Sequence, residues 1–246
     1  MAWISGNRYL TQAEMENNAD IIIAYYRSIG VEDRTIAGIL GNMQMESTIN
    51  PGLYEVGGSG YGIVQWTPQS VLINHCSILG LSPYTDGDVQ IAVIPNEITT
   101  SDSNLREWYT TSGFISNYYN FGATSDMIGI TGQQFLSNSM GWSPDKLAIM
   151  FMAGYERPLA NQQTIHWEQR MQKALDWYTY MGGQPGTFTP RLDDTGIVGD
   201  FHYYSQNPYY QSGYGMPNCT CYSFRSLLGN WRHWGHRSKL PIFTNG

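Results

Sequence analysis

Between residues 11 and 46, apolar side chains recur at intervals of three and four residues, the spacing of helices that bury one face. Thr11 and Glu14 form a capping box at the start of this pattern. A glycine interrupts the pattern at residue 30. The pattern therefore predicts one helix over 11–29 and a second from Asp33 to Met45 or Glu46.

Residues 49–67 differ in character from the helical stretches on either side. Glycines separate short aromatic and β-branched pieces there, a pattern that predicts a small irregular β-hairpin, called the wing below. Helical patterns then return. The predicted helices are 67–78, 87–110 with a kink or break at Pro95, a short one within 131–139, one opened by Ser143 and Pro144, and one from Asn161 to about Met181. The predicted fold class is α+β and predominantly helical.

Composition and charge narrow the classes of function. The 246 residues carry a formal net charge of −7, which argues against a nucleic-acid binder that depends on counterion release. Only 13 % of residues are charged, while the chain holds 18 Tyr and 8 Trp. A polar, aromatic surface of this kind suits sugar binding and also fits extracellular or virion proteins generally. No apolar run reaches the ~18 residues of a membrane span, and residues 1–15 lack the pattern of a secretory signal.

The charge distribution suggests a domain boundary. All 20 acidic residues lie in residues 1–200, whereas 201–246 hold four basic residues and no acid. Because the intervening stretch is rich in Gly, Pro and Thr, we predict a domain over 1–181, a linker over 182–206 and a separate segment over 207–246. Three cysteines are too few for a disulfide framework and lack the spacing of a zinc site, so neither a metal nor another cofactor is expected.

Glu46 is the candidate for acid–base chemistry, because it ends an apolar helix directly before the glycine-rich wing. Partial burial there would raise the pKa of the carboxyl, and the partial negative charge of a helix C-terminus would act in the same direction. A raised pKa suits a general acid that protonates a glycosidic oxygen near neutral pH. The alternative is a solvated glutamate at a helix end.

Three motifs follow one another in the chain. They are GNMQMESTINPGLYE (41–55), GYGIVQWTP (60–68) and AGYERP (153–158). Together they resemble the tail-associated lysozyme domain of podovirus cell-wall hydrolases, relatives of the goose-type lysozyme and soluble transglycosylase superfamily. The resemblance covers most of residues 5–181. It implies a lysozyme-like fold that cleaves the β-1,4 bond between N-acetylmuramic acid and N-acetylglucosamine, with Glu46 as the catalytic glutamate.

The resemblance also implies a set of residues that bind substrate. On the wing, the residues that line the sugar groove are Tyr61, Gln65, Trp66 and Thr67. In the third motif Tyr155 and Arg157 could place Glu156 at the groove, although a structural hydrogen-bonded pair of Glu156 with Arg157 is the favoured reading. Glu97 matches a second groove carboxylate more loosely, and its alternative is an ordinary position on a helix face.

Most glycosidases use two carboxylates, and Glu55 is the only acid in the segment 47–85. Glu55 could activate water as a base, neutral side chains could hold that water, or the acetamido group of the substrate could attack. The neutral candidates are Gln65, Thr48 and Thr67. The first two routes would invert the anomeric carbon. We predict one essential acid, Glu46, with Glu55 as the candidate second group.

The stretch NPYYQSGYGMPNCTCYSFRSLLGNW (207–231) resembles the opening of a CHAP domain, a papain-like amidase module. Cys219 takes the place of its nucleophile, whereas Cys221 stands where the family commonly has Trp. The expected histidine would lie beyond Gly246, so Cys219 is a catalytic candidate only in a completed domain and is otherwise an inert thiol. We expect this chain, a truncated product or a remnant of that module, to release reducing sugar ends but few amino groups.

These observations favour a phage tail-tip peptidoglycan hydrolase that opens a Gram-positive wall so that DNA can enter the cell. Its expected partners are glycan strands and other tail-knob proteins, and its expected location is the distal tail of the virion. One alternative is a holin-released endolysin with the same chemistry. The other is a non-catalytic tail or wall-binding protein on a lysozyme fold, which an intact Glu46 and a complete wing disfavour.

Overall fold

The computed structural model describes residues 2–160 and 165–183, which form helices joined by turns and short loops. The α-helices are α1 (Gln12–Ser28), α2 (Asp33–Ser47), α3 (Ser70–Leu79), α4 (Gly87–Thr99), α5 (Ser112–Ile115), α6 (Gly132–Ser137), α7 (Pro144–Phe151) and α8 (Trp167–Tyr180). Two 3₁₀ helices span Ser116–Phe121 and Ser125–Met127, and a π-helix spans Met152–Glu156. The predominantly helical character predicted from the sequence is confirmed.

Helix α2 lies at the centre of the described residues and buries ten of its own 15 residues. Two glycines let neighbouring helices approach it closely. A Cβ on Gly38 would lie 2.9 Å from the backbone nitrogen of Ala148 on α7, and a Cβ on Gly41 would lie 2.7 Å from the backbone oxygen of Arg170 on α8. Since only glycine leaves this space, α7 and α8 pack with their backbones against α2, and Arg170 comes to lie beside the C-terminal half of α2.

Helices α1, α2, α6 and α7 confirm the sequence predictions, but the third helix begins later than expected. Thr67 was predicted to cap it, yet its hydroxyl donates to the carbonyl of Gln65 at 2.8 Å. The amide of Gln69 donates to the carbonyl of Ser59 at 2.9 Å. Because these bonds hold the turn against the wing, the helix starts at Ser70.

The predicted helix over 87–110 ends at Thr99, so its second half is wrong. The helix continues through Pro95, and the chain then leaves it in an extended conformation at Thr100. Backbone bonds to other elements replace the helical ones, since the amide of Tyr109 donates to the carbonyl of Gly154 at 2.9 Å. The last helix begins at Trp167, and its predicted start at Asn161 lies outside the described residues.

The wing is a series of turns with two isolated antiparallel bridges, Tyr54 to Tyr61 and Tyr61 to Trp66. Regular strands are absent from the described residues, so the predicted hairpin is reduced to these bridges. The hydroxyl of Ser47, at the end of α2, donates to the carbonyl of Ile63 at 2.8 Å. This bond ties the wing to the helix end that carries Glu46.

The predicted CHAP-like segment with Cys219, and all but the first two residues of the predicted linker over 182–206, lie outside the described part of the chain. Within the described part, no helix combines the length and apolarity needed to cross a membrane.

Candidate functional site

A cavity of about 620 Å³ opens between the end of α2, the wing and the π-helix. The fold brings together seven side chains that the sequence analysis singled out. They are Glu46, Glu55, Gln65, Trp66, Thr67, Tyr155 and Glu156. Because they come from three separate motifs, this cavity is the candidate active site.

Glu46 is paired with an arginine that the sequence analysis missed. The guanidinium of Arg170 donates to Glu46 Oε1, to Asn42 Oδ1 at 2.8 Å and to the carbonyl of Ile165 at 3.0 Å. The Arg170 side chain is 4 % exposed and that of Glu46 is 21 % exposed. A signal existed, since Asn42 and Glu46 are polar residues four positions apart on α2 and therefore share a face of the helix.

The wing contributes a polar cluster that consists of Glu55, Gln65 and Thr67. Glu55 Oε2 accepts the backbone N–H groups of Ser59 and Gly60 at 3.0 and 2.9 Å. A Cβ on Gly60 would lie 3.0 Å from both Gln65 Oε1 and Thr67 Oγ1, and 3.1 Å from Glu55 Oε2. Three oxygens therefore lie close together over Gly60, and the side chains that carry them all line the cavity.

Thr48 and Tyr61 are two predicted residues that do not line this cavity. The hydroxyl of Thr48 accepts the backbone N–H of Leu10 at 2.8 Å. Tyr61 is 3 % exposed, and its ring packs against Tyr54 and Tyr84 with centroids 4.5 and 5.7 Å away. The structure therefore places Tyr61 in the packing beneath the wing.

Glu156 ends the π-helix and faces the cavity without a hydrogen-bond partner for its buried Oε1. Burial, followed by the negative charge of Glu46, raises the pKa of Glu156 well above its usual range. The predicted structural pair with Arg157 is wrong, because the Arg157 guanidinium pairs with Glu107 instead. The site thus holds one carboxyl paired with a cation and a second carboxyl whose buried oxygen has no hydrogen-bond partner.

Glu156→Gln should make the stability of the protein less dependent on pH. Because the pKa of Glu156 is higher in the folded than in the unfolded chain, the protonated carboxyl stabilises the folded state. This contribution to the free energy of unfolding is complete below about pH 4.5 and is lost as the pH rises through the pKa of the folded state. We expect the variant to gain stability relative to wild type above pH 4.5, by up to about 1.4 kcal/mol per pH unit. Urea denaturation at pH 4.5, 6 and 7.5 measures this, and a difference that stays constant with pH would contradict it.

Glu97 occupies neither of its two predicted positions, the groove or an ordinary helix face. It is 0 % exposed and lies behind the cavity, where Oε1 accepts the indole N–H of Trp66 at 2.9 Å. His75 Nδ1 lies 2.5 Å from the same oxygen, and the hydroxyl of Tyr155 donates to Oε2. The carboxylate is therefore embedded in side chains that support the cavity.

In residues 2–160 and 165–183, no three His, Cys, Asp or Glu side chains lie close enough together to hold a metal ion.

Comparison with known proteins agrees with the family resemblance of the three motifs. The sequence pattern of the phage tail lysozyme family matches residues 17–181, two thirds of the chain. Morphogenesis protein 1 of Bacillus phage B103 is 31 % identical over 188 residues, which cover 74 % of this chain and 44 % of that protein. The chain thus spans less than half the length of this curated relative. With Glu46, the wing and the third motif all inside the matched region, the chain belongs to the phage tail lysozyme family.

Proposed function

We propose that this protein is a tail-associated muramidase that cleaves the β-1,4 bond between N-acetylmuramic acid and N-acetylglucosamine, with Glu46 as general acid. The observation that carries the proposal is that Glu46 lies in one cavity with the polar cluster of the wing. A glycan strand bound there would lie between Glu46 and the polar side chains of the wing. We further propose that cleavage opens the wall of a Gram-positive host so that phage DNA can enter.

Glu46 can act as the acid because its two carboxyl oxygens differ in their hydrogen bonds. Arg170 bonds Oε1, and no hydrogen bond to Oε2 is found among the described residues. In the proposed reaction Oε2 protonates the glycosidic oxygen while the bond to the anomeric carbon breaks. Arg170 orients the carboxyl and stabilises the carboxylate that remains after the proton has left.

The second group of the reaction belongs to the polar cluster of the wing or to the substrate itself. Glu55 could act as base, Gln65 and Thr67 could orient the water without one, or the substrate acetamido group could attack the anomeric carbon. Thr48 is no longer a candidate, because its hydroxyl binds the backbone of Leu10 outside the cavity lining. An NMR assay of the first-formed sugar separates water attack, which inverts the anomeric carbon whether Glu55 or neutral side chains assist it, from attack by the acetamido group, which does not.

Glu55→Gln tests whether Glu55 is that base. The amide oxygen can still accept the N–H groups of Ser59 and Gly60, so the loop should keep its shape. We expect reducing-end release to fall less than about tenfold, well below the loss at Glu46, because acid–base groups contribute 10²–10⁴-fold. Equal losses at the two positions would instead assign the catalytic base to Glu55.

A zymogram of wild type beside Glu46→Gln on Gram-positive cell walls tests the proposed function. Clearing by the wild type alone supports the enzyme, whereas no clearing by either chain supports a non-catalytic tail protein. Antibody detection on purified virions separates a tail component from a holin-released endolysin. The amidase role of Cys219 stays a prediction, because that residue lies outside the described part of the chain.

A further inference from the structure

Glu97 is a buried carboxylate that the proposed acid–base chemistry does not use. Burial of a carboxylate is unfavourable unless hydrogen bonds replace its hydration. Here Trp66 and Tyr155 donate to its two oxygens. Because an indole N–H can only donate, Trp66 depends on Glu97 as its acceptor in this arrangement.

The two donors come from different parts of the fold. Trp66 closes the wing, and Tyr155 lies in the π-helix that follows α7. Each is only 5 % exposed, and that exposed edge lines the cavity. Glu97 on α4, with His75 on α3, therefore holds two walls of the cavity through the polar ends of their side chains.

We propose that Glu97 is a positioning residue that fixes Trp66 and Tyr155 so that the cavity can bind a glycan strand against Glu46. This inference rests on the proposed function. A site keeps productive geometry only when its lining side chains are held by a supporting shell, and Glu97 is the group these two aromatic residues share. Without it, each ring keeps its packing but loses the bond that sets its orientation.

Two conservative substitutions separate the position of Glu97 from its charge. In Glu97→Gln the amide oxygen can accept from Trp66, and the amide N–H can donate to the hydroxyl oxygen of Tyr155. Glu97→Asp keeps the charge but is one methylene shorter, so it cannot reach both partners. A positioning role predicts that Gln is tolerated and Asp is not, whereas a role of the charge alone predicts the reverse.

The first measurement is steady-state kinetics of reducing-end release from soluble glycan fragments. The cavity walls contact the sugar before and during bond cleavage, so their displacement raises KM and leaves kcat nearly unchanged. We expect KM to rise at least about fivefold in Glu97→Asp and less than about twofold in Glu97→Gln, since each lost hydrogen bond weakens binding severalfold. Glu16→Gln, on α1 outside the cavity lining, is the matched control.

The second measurement is hydrogen exchange of the Trp66 indole N–H in ¹⁵N NMR spectra, with the signal assigned by its loss in Trp66→Phe. We expect slow exchange in wild type and Glu97→Gln, and exchange at least about tenfold faster in Glu97→Asp, because the bond to Oε1 is broken. If Glu97→Asp does not fold, Tyr155→Phe replaces it in both measurements, because it removes only one of the two donors to Glu97. In Tyr155→Phe we expect KM to rise while the Trp66 indole N–H stays protected from exchange.

Two results would overturn the positioning role. One is a Glu97→Asp variant with wild-type KM and wild-type Trp66 exchange, and the other is a Glu97→Gln variant that loses as much as Glu97→Asp. If Tyr155→Phe is used in place of Glu97→Asp, an unchanged KM in that variant overturns the positioning role. A wild-type chain that releases no reducing ends would refute the proposed function instead, and Trp66 exchange alone would then decide the positioning role.

Discussion

Glu46→Gln is expected to lower the release of reducing ends from peptidoglycan by about 10²–10⁴-fold, the usual contribution of a general acid. The amide has the size of the carboxyl but no proton to give to the glycosidic oxygen. The variant should stay folded, because its amide oxygen can still accept the hydrogen bond from Arg170. Steady-state kinetics on purified cell walls provide the measurement, with thermal melting as the check on folding.

Glu16→Gln is the matched control for this experiment. Glu16 lies on α1, pairs with Gln12 on the surface and does not line the cavity, so the same chemical change there should leave the rate within about twofold of wild type. Wall-clearing activity of Glu46→Gln within a few-fold of wild type would remove Glu46 from the mechanism. A loss at both positions would point to a general effect of charge on wall binding.

Arg170→Met should have the largest effect on stability, about 3 kcal/mol in the free energy of unfolding. Methionine fills similar space but donates no hydrogen bond, so Glu46, Asn42 and the carbonyl of Ile165 all lose a partner. Removal of one partner of a buried ion pair costs about 3–5 kcal/mol, and the partial exposure of Glu46 places this case at the lower end. Urea denaturation measures the change as a lower midpoint at constant slope.

Arg8→Met gives the comparison for a pair on the surface. Arg8 is 52 % exposed and pairs with Glu14, and exposed ion pairs contribute little to stability because water screens the two charges. Arg170→Lys should fall between the two, because an ammonium group cannot bond all three acceptors in the planar geometry of a guanidinium. Equal destabilisation by Arg170→Met and Arg8→Met would show that Arg170 does not support the site.

Glu46 could be found in the sequence because its position depends on local features. A run of apolar residues at helical spacing ends at this carboxylate, and a glycine-rich stretch follows directly. Ser143 and the Pro that follows it located the start of α7 in the same way. Each of these signals lies within a few residues of the element it predicts.

The residues around Glu46 could not be found in this way, because their contacts join distant parts of the chain. Arg170 reaches Glu46 only because Gly41 lets α8 lie close against α2, and the sequence of α8 alone does not reveal that approach. In the sequence, Glu97 has the spacing of an ordinary helix residue. Only the structure shows that His75 and Trp66 surround its carboxylate.

The sequence by itself determined the helical class and the position of Glu46 at a helix end, because helix periodicity and capping act over a few residues. Its three motifs carried the family resemblance, and the structure brought them to one cavity. Only the tertiary structure decided the partners of the carboxylates: Arg170 for Glu46, none for the buried oxygen of Glu156, and Trp66 with Tyr155 for Glu97. The physical reason is that burial and pairing depend on which helices pack together, and packing joins residues that are far apart in the chain.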